Sequence, residues 1–400
     1  MRIGLIAALR RSEEGALRAE LPLAGRTVLA WQGALLQSLG VERVLCLTET
    51  SAASGAMLAL QRTLERTGTA FHALKGFAAL PALVRAEDDL IVIADGLVPE
   101  PVVVQALLSG GGGLARAVAS LPADHPLAAS HPEDFERIDA TRCWAGVLAM
   151  RGAPVQQLAD MPADADAISL LLRLALQAGT PIRDLSPREV VPESWLLADN
   201  APSVAQAGAG LIARAALPVD GRAPGSWLAG MMARAIVVRG STGAVPVAAG
   251  AALAAMLGGL LLAASGVGGA GLLLAGVGAF AAEVAWRIAS LSRRLIGKGE
   301  SAGSRARVDV AVDVAAALTG WFALAPWPDW QPLAALGPVV VGLARLVADG
   351  SGSGLSAAAS DRTSLLLLLS LAAVTGFLPE MLACLSLGLL AALLLRRAED

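Results

Sequence analysis

The chain has 400 residues, of which 55% are hydrophobic and 16% charged, with mean hydropathy +0.62 and a formal net charge of −3. That length suggests two or three domains, and that hydropathy places part of the chain in lipid. A charge so near zero offers no general attraction to nucleic acid, and the three dispersed cysteines, Cys46, Cys143 and Cys384, build neither a disulfide framework nor a zinc site.

The first fifteen residues, MRIGLIAALRRSEEG, hold too short an apolar run for a secretory signal, and most of the basic residues follow it. Residues 1–200 are therefore expected to form a cytoplasmic α/β domain of Rossmann-like character. RIGLIAAL reads as a buried strand, and RTVLAWQGALLQSLG as an amphipathic helix closed by Gly40. VERVLCLTE is a second strand, SGAMLALQRTLERTG a second helix and DLIVIADG a third strand. Strands alternating with helices imply a mostly parallel sheet, with ligands bound at the carboxyl ends of its strands. That rule places Asp95 and Gly96 at a candidate ligand site.

Residues 201–240 read as a connector. Its last part, SWLAGMMARAIVV closed by Arg239, sets Trp, Leu and Met beside Arg234 and predicts a helix lying along a membrane surface. Residues 241–400 hold six apolar segments, roughly 244–265, 267–288, 308–326, 331–347, 363–379 and 381–395. Arg287, Arg293, Arg294, Lys298, Arg305 and Arg307 lie between the second and third, and Arg396 and Arg397 follow the sixth. The alternate loops lack Lys and Arg, so the positive-inside rule puts both termini in the cytoplasm of a multi-pass inner-membrane protein. Trp327 and Trp330 then mark the far interface.

GVGGAG at Gly266–Gly271 matches a dinucleotide fingerprint on paper, but it joins two apolar segments and lacks a preceding strand. A tight interhelical turn is expected there. SGGGG at Ser109–Gly113 has no Lys at phosphate-loop spacing and reads as a surface loop. His72, His125 and His131 are too scattered to form a ligand pair on one helix.

Within the third apolar segment, SRARVDVAVDVAAALTGWFAL carries Asp309 and Asp313, stacked on one helical face. A carboxylate at the centre of a spanning helix costs roughly 2.5–3.5 kcal/mol on insertion scales. Two accounts are open. Both acids pair with Arg305 or Arg307 at the helix entrance, or they face the bundle interior as part of a divalent-cation or substrate site.

These residues resemble the CDP-alcohol phosphatidyltransferases, six-span membrane enzymes that move a phosphate-linked group from a CDP-activated donor onto an alcohol. The resemblance covers the second half: a surface helix, six spans, and a third span opening with D-x3-D at Asp309 and Asp313. SDRTSLLLLLSLAAVTG before the fifth span is similar to fused members of the family. The family signature opens D-x2-D-G-x2-A-R, where this chain reads GAFAAEVAWR. Gly278 and Ala281 stand where acids belong, Ala282 on the Gly and Trp286 on the Arg, with Glu283 the nearby carboxylate. Arg305 occupies the Gly slot of the later G-x3-D element.

The first half resembles the sugar-nucleotidyltransferase domains fused to such transferases in proteins that make CDP-activated inositol phosphate. LPLAGRTVLAWQGALLQSLGVERVLCL and the strand end at Asp95 carry that likeness, whereas AALRRSEEGALR stands in place of a Gly-rich nucleotide loop. The resemblance implies a nucleotidyltransferase-like domain on an all-α six-helix membrane bundle. It implies a metal set of Asp309, Asp313 and Glu283 with Asp313 catalytic, and nucleotide contacts at Asp95 and Gly96. Magnesium or manganese is the implied cation; membrane lipid, a CDP-linked donor and a second copy of the chain are the implied partners. Losing acids from a two-metal centre, or the backbone cradle for a triphosphate, removes several kcal/mol of transition-state stabilisation. The eroded motifs therefore leave three readings open: a head-group transferase, a catalytically silent relative that binds nucleotide or lipid or partners an active homologue, and a transporter or unrelated membrane scaffold.

Overall fold

The computed structural model describes the chain except for residues 51–52, 111–112, 163–164, 187, 192–193, 218–220, 241–242, 296–301, 327–332, 350–353 and 400. Trp327, Trp330 and Lys298 thus lie outside the described residues, as do the side chains of Arg396 and Arg397. Two compact units divide at Arg214, Met1–Arg214 and Ala215–Asp400.

The first unit is built on a seven-stranded mixed sheet. Its strands are β1 (Arg2–Ala8), β2 (Arg43–Thr48), β3 (Ala70–Lys75), β4 (Asp89–Ile93), β5 (Ala117–Pro122), β6 (Arg142–Arg151) and β7 (Ile182–Asp184), in the order β7-β5-β6-β4-β1-β2-β3. β1 lies parallel between β2 and β4, with Leu5 opposite Leu45 on one side and Val92 on the other. β6 runs antiparallel to both β4 and β5.

β1, β2 and β4 are buried at every position after the first, so both faces of the sheet centre are covered. That is why the sequence shows continuous apolar runs there rather than alternation. Helix α1 (Val28–Ser38) starts on a Thr27 cap whose side chain accepts from the Ala30 N–H, and Gly40 just beyond it has φ +74°. Helix α2 (Gly55–Glu65) is capped by Ser54, and α3 (Ala167–Gln177) by Asp166. Gly4 on β1 lets Leu36 of α1 lie against the strand; a Cβ there would sit 2.5 Å from its methyl. At SGGGG, Ser109–Gly110 pairs antiparallel with Gly113–Leu114 at the surface. The unit closes with α4 (Ala201–Ala215), helical where a connector was expected.

The second unit is helical: α5 (Pro224–Val238), α6 (Ala244–Ala264), α7 (Gly268–Leu295), α8 (Ala302–Leu324), α9 (Leu336–Ala348), α10 (Gly354–Ser360), α11 (Arg362–Thr375) and α12 (Leu378–Glu399). Along α5, Trp227, Leu228, Met231, Met232 and Val238 are exposed. Gly266, at φ +91°, and Val267 lie in the tight turn between α6 and α7, and the rest of GVGGAG opens α7. The helices of this turn approach closely: a Cβ on Gly271 would meet the Gly259 carbonyl at 2.7 Å.

Among the described residues, three helices are long and apolar enough to cross a membrane, Ala244–Ala264, Gly268–Leu295 and Leu378–Leu395. The other three expected segments fall short for different reasons. α9 and α11, with 13 and 14 residues, reach only about 20 Å at ~1.5 Å per residue, against a hydrocarbon core of ~30 Å. α8 has the length, 23 residues, but its first half carries Arg305, Arg307, Asp309 and Asp313.

Candidate functional sites in the two units

In the first unit β4 ends at Ile93, and Asp95 and Gly96 form a tight turn just beyond it. Gly96 has φ +75°, and a Cβ on it would lie 3.0 Å from Arg18, so backbone conformation and space both require glycine. Gln32 of α1 secures the turn, its amide donating to the Ala94 and Leu97 carbonyls. One oxygen of Asp95, Oδ2, accepts from the backbone N–H groups of Leu9 and Arg10, each at 2.7 Å. The other, Oδ1, is buried without a hydrogen-bond partner. Burial pushes the Asp95 carboxyl up to about 6; the Arg10 and Leu9 amides and the charges of Arg18 and Arg10 oppose the rise.

The segment after β1, in the place of a glycine-rich loop, folds back through Arg10 and Arg18. Both guanidinium groups bond to the same oxygen of Asp134 at 2.7 Å, and Arg10 also reaches the Glu133 carbonyl. The cavity beside Asp95 is lined by Arg10, Asp134, Glu136, Trp144 and Asp166 and measures about 80 Å³. Nucleotide-sized pockets begin near ~300 Å³. Arg10 is part of the wall of this cavity.

Two of the unit's three histidines hold local structure. His125 accepts from the Leu127 N–H as a helix cap and lies 3.1 Å from the Val190 carbonyl. His131 pairs with Asp199 at 2.8 Å. Cys46 and Cys143 are buried free thiols; burial, and then the nearby Asp95 charge, push Cys46 up to about 12.

In the second unit the three sequence-predicted acids are each engaged by arginine. Glu283 on α7 takes Arg287 on one oxygen at 2.7 Å and Arg305 on the other at 2.8 Å. Arg305 also reaches Asp309 at 3.0 Å and lies 5.4 Å over the Trp286 ring. Asp313 is the buried member, 10% exposed at its side chain, and holds Arg345 of α9 at 2.7 Å and Arg362 of α11 at 2.9 Å. Arg307, a candidate partner by spacing, donates instead to the Gly303 carbonyl. Gly278 packs on Met256 of the neighbouring α6, away from the acids.

This arrangement does not suit a divalent cation. Both oxygens of Glu283, both of Asp313 and one of Asp309 accept from guanidinium groups. A hard cation needs several of those same oxygens at 2.0–2.6 Å. Among the described residues no three His, Cys, Asp or Glu side chains gather in a way that holds a metal ion. The adjoining cavity, between Glu283, Arg305, Asp309, Asp361 and Arg362, has about 30 Å³ of space, enough for a water or two.

Sequence spacing located Asp309 and Asp313 and named Arg305 as a neighbour, and the family resemblance pointed to Glu283 and Arg287. Both missed Arg345, whose signal was available. Arg345 is the lone charge in the apolar stretch LGPVVVGLARLVA, and such a charge implies a buried partner.

The chain matches no family model and no curated protein. Among solved structures, the inositol-1-phosphate CTP transferase from T. maritima is similar over 52% of this chain and 97% of that one, at 13% identity and a TM-score of 0.36.

Proposed function

We propose that this chain is a membrane-anchored, catalytically silent relative of the CDP-alcohol phosphatidyltransferases, fused to a nucleotidyltransferase-like domain, that binds phosphate-bearing lipid without a divalent cation. The reading rests chiefly on one observation: Arg345 and Arg362 together hold the buried Asp313. Metal-assisted transfer needs carboxylates free to carry a cation that neutralises diphosphate charge and orients the attacking oxygen. Fixed guanidinium groups supply positive charge and bidentate phosphate contacts, but they activate no nucleophile. Arg10 stands likewise in the first unit, in the wall of the cavity beside Asp95.

On this reading the loop charges set a multi-pass inner-membrane protein with both termini in the cytoplasm, and α5 rests its Trp227 and Met231 in the headgroup layer. Its partners are membrane lipid and either an active homologue or a second copy of itself; nucleic acid is not among them. The competing reading, an active head-group transferase, draws on the convergence of α7 and α8, where Glu283 and Asp309 share Arg305.

The test is CMP release from CDP-diacylglycerol by the full chain in liposomes, with magnesium and a panel of small alcohols and inositol phosphate. Release at the protein-free level is expected. Metal-dependent release that disappears in Asp313→Asn overturns the silent reading.

A further inference from the structure

We draw no further inference here: the strongest candidate, the cavity of about 80 Å³ walled by Asp95, Asp134, Glu136 and Asp166 beyond the carboxyl ends of β1 and β4, belongs to the site already described, and the unpartnered Oδ1 of Asp95 is itself buried, so nothing in the structure shows what the cavity would hold.

Discussion

Replacing Asp313 with Ala leaves two guanidinium groups facing each other without their shared counter-charge. Asp313 is 10% exposed and Arg362 17%, so their pair counts as buried, while Arg345, at 33%, keeps part of its hydration. Breaking a buried pair by removing one partner costs ~3–5 kcal/mol. The partial exposure of Arg345 places this change near the low end, about 3 kcal/mol. Asp309→Ala is the internal control. Asp309 and Arg305 are 26% and 36% exposed, and Arg305 retains Glu283, so the loss should be at most ~1 kcal/mol. For a unit of this size each kcal/mol moves the midpoint by ~2–4 °C. Asp313→Ala should therefore lower the melting midpoint of the detergent-solubilised chain by roughly 6–12 °C, and Asp309→Ala by no more than ~4 °C. Scanning fluorimetry at one fixed scan rate is the suitable assay, because such unfolding is often irreversible. Equal shifts for the two variants, or a shift under ~2 °C for Asp313→Ala, would refute the assignment of Asp313 as the buried charge centre.

Asp95 gives a pH signature in the first unit. Its folded carboxyl titrates at about 6, above its unfolded value, because burial disfavours the charge. The protonated form is thus favoured by folding: that stability is full below pH ~4, falls as pH rises and is lost above pH ~6, about 3 kcal/mol in all. Asp95→Asn should flatten this part of the stability–pH curve of the full chain and raise stability at pH 7; an unchanged slope between pH 4 and 6 would contradict it. Topology is testable by reporter fusion. A reporter after Asp400 should stay cytoplasmic and one within PWPDWQ should appear on the far side; the reverse at either position would remove the six-span arrangement.

The parts of the fold legible in the sequence were those whose burial is two-sided or locally punctuated. RIGLIAAL, VERVLCLTE and DLIVIADG read correctly because β1, β2 and β4 are covered on both faces. α1 was legible from its apolar spacing and Gly40. β3 was not, because it lies at the sheet edge and exposes most of its residues, His72 included. The antiparallel β6 was also missed, since RCWAGVLAMR is a continuous apolar run whose direction in the sheet depends on distant strands. At the candidate site the i to i+4 links, Glu283–Arg287 and Arg305–Asp309, follow from helical spacing. The partners of Asp313 stand 32 and 49 residues away, and only packing of α8, α9 and α11 brings them together.

Arginine occupies the acids a cation would need. Divalent-cation stabilisation tests this most directly, since an ion that binds the native state alone raises its melting midpoint by mass action. The full chain in detergent is melted with and without manganese or magnesium, beside the double variant Asp309→Asn with Asp313→Asn. Neither ion should move the wild-type midpoint beyond the change seen in the double variant. A saturable rise in wild type that the double variant lacks would contradict it, and would return Asp309, Asp313 and Glu283 to a metal centre.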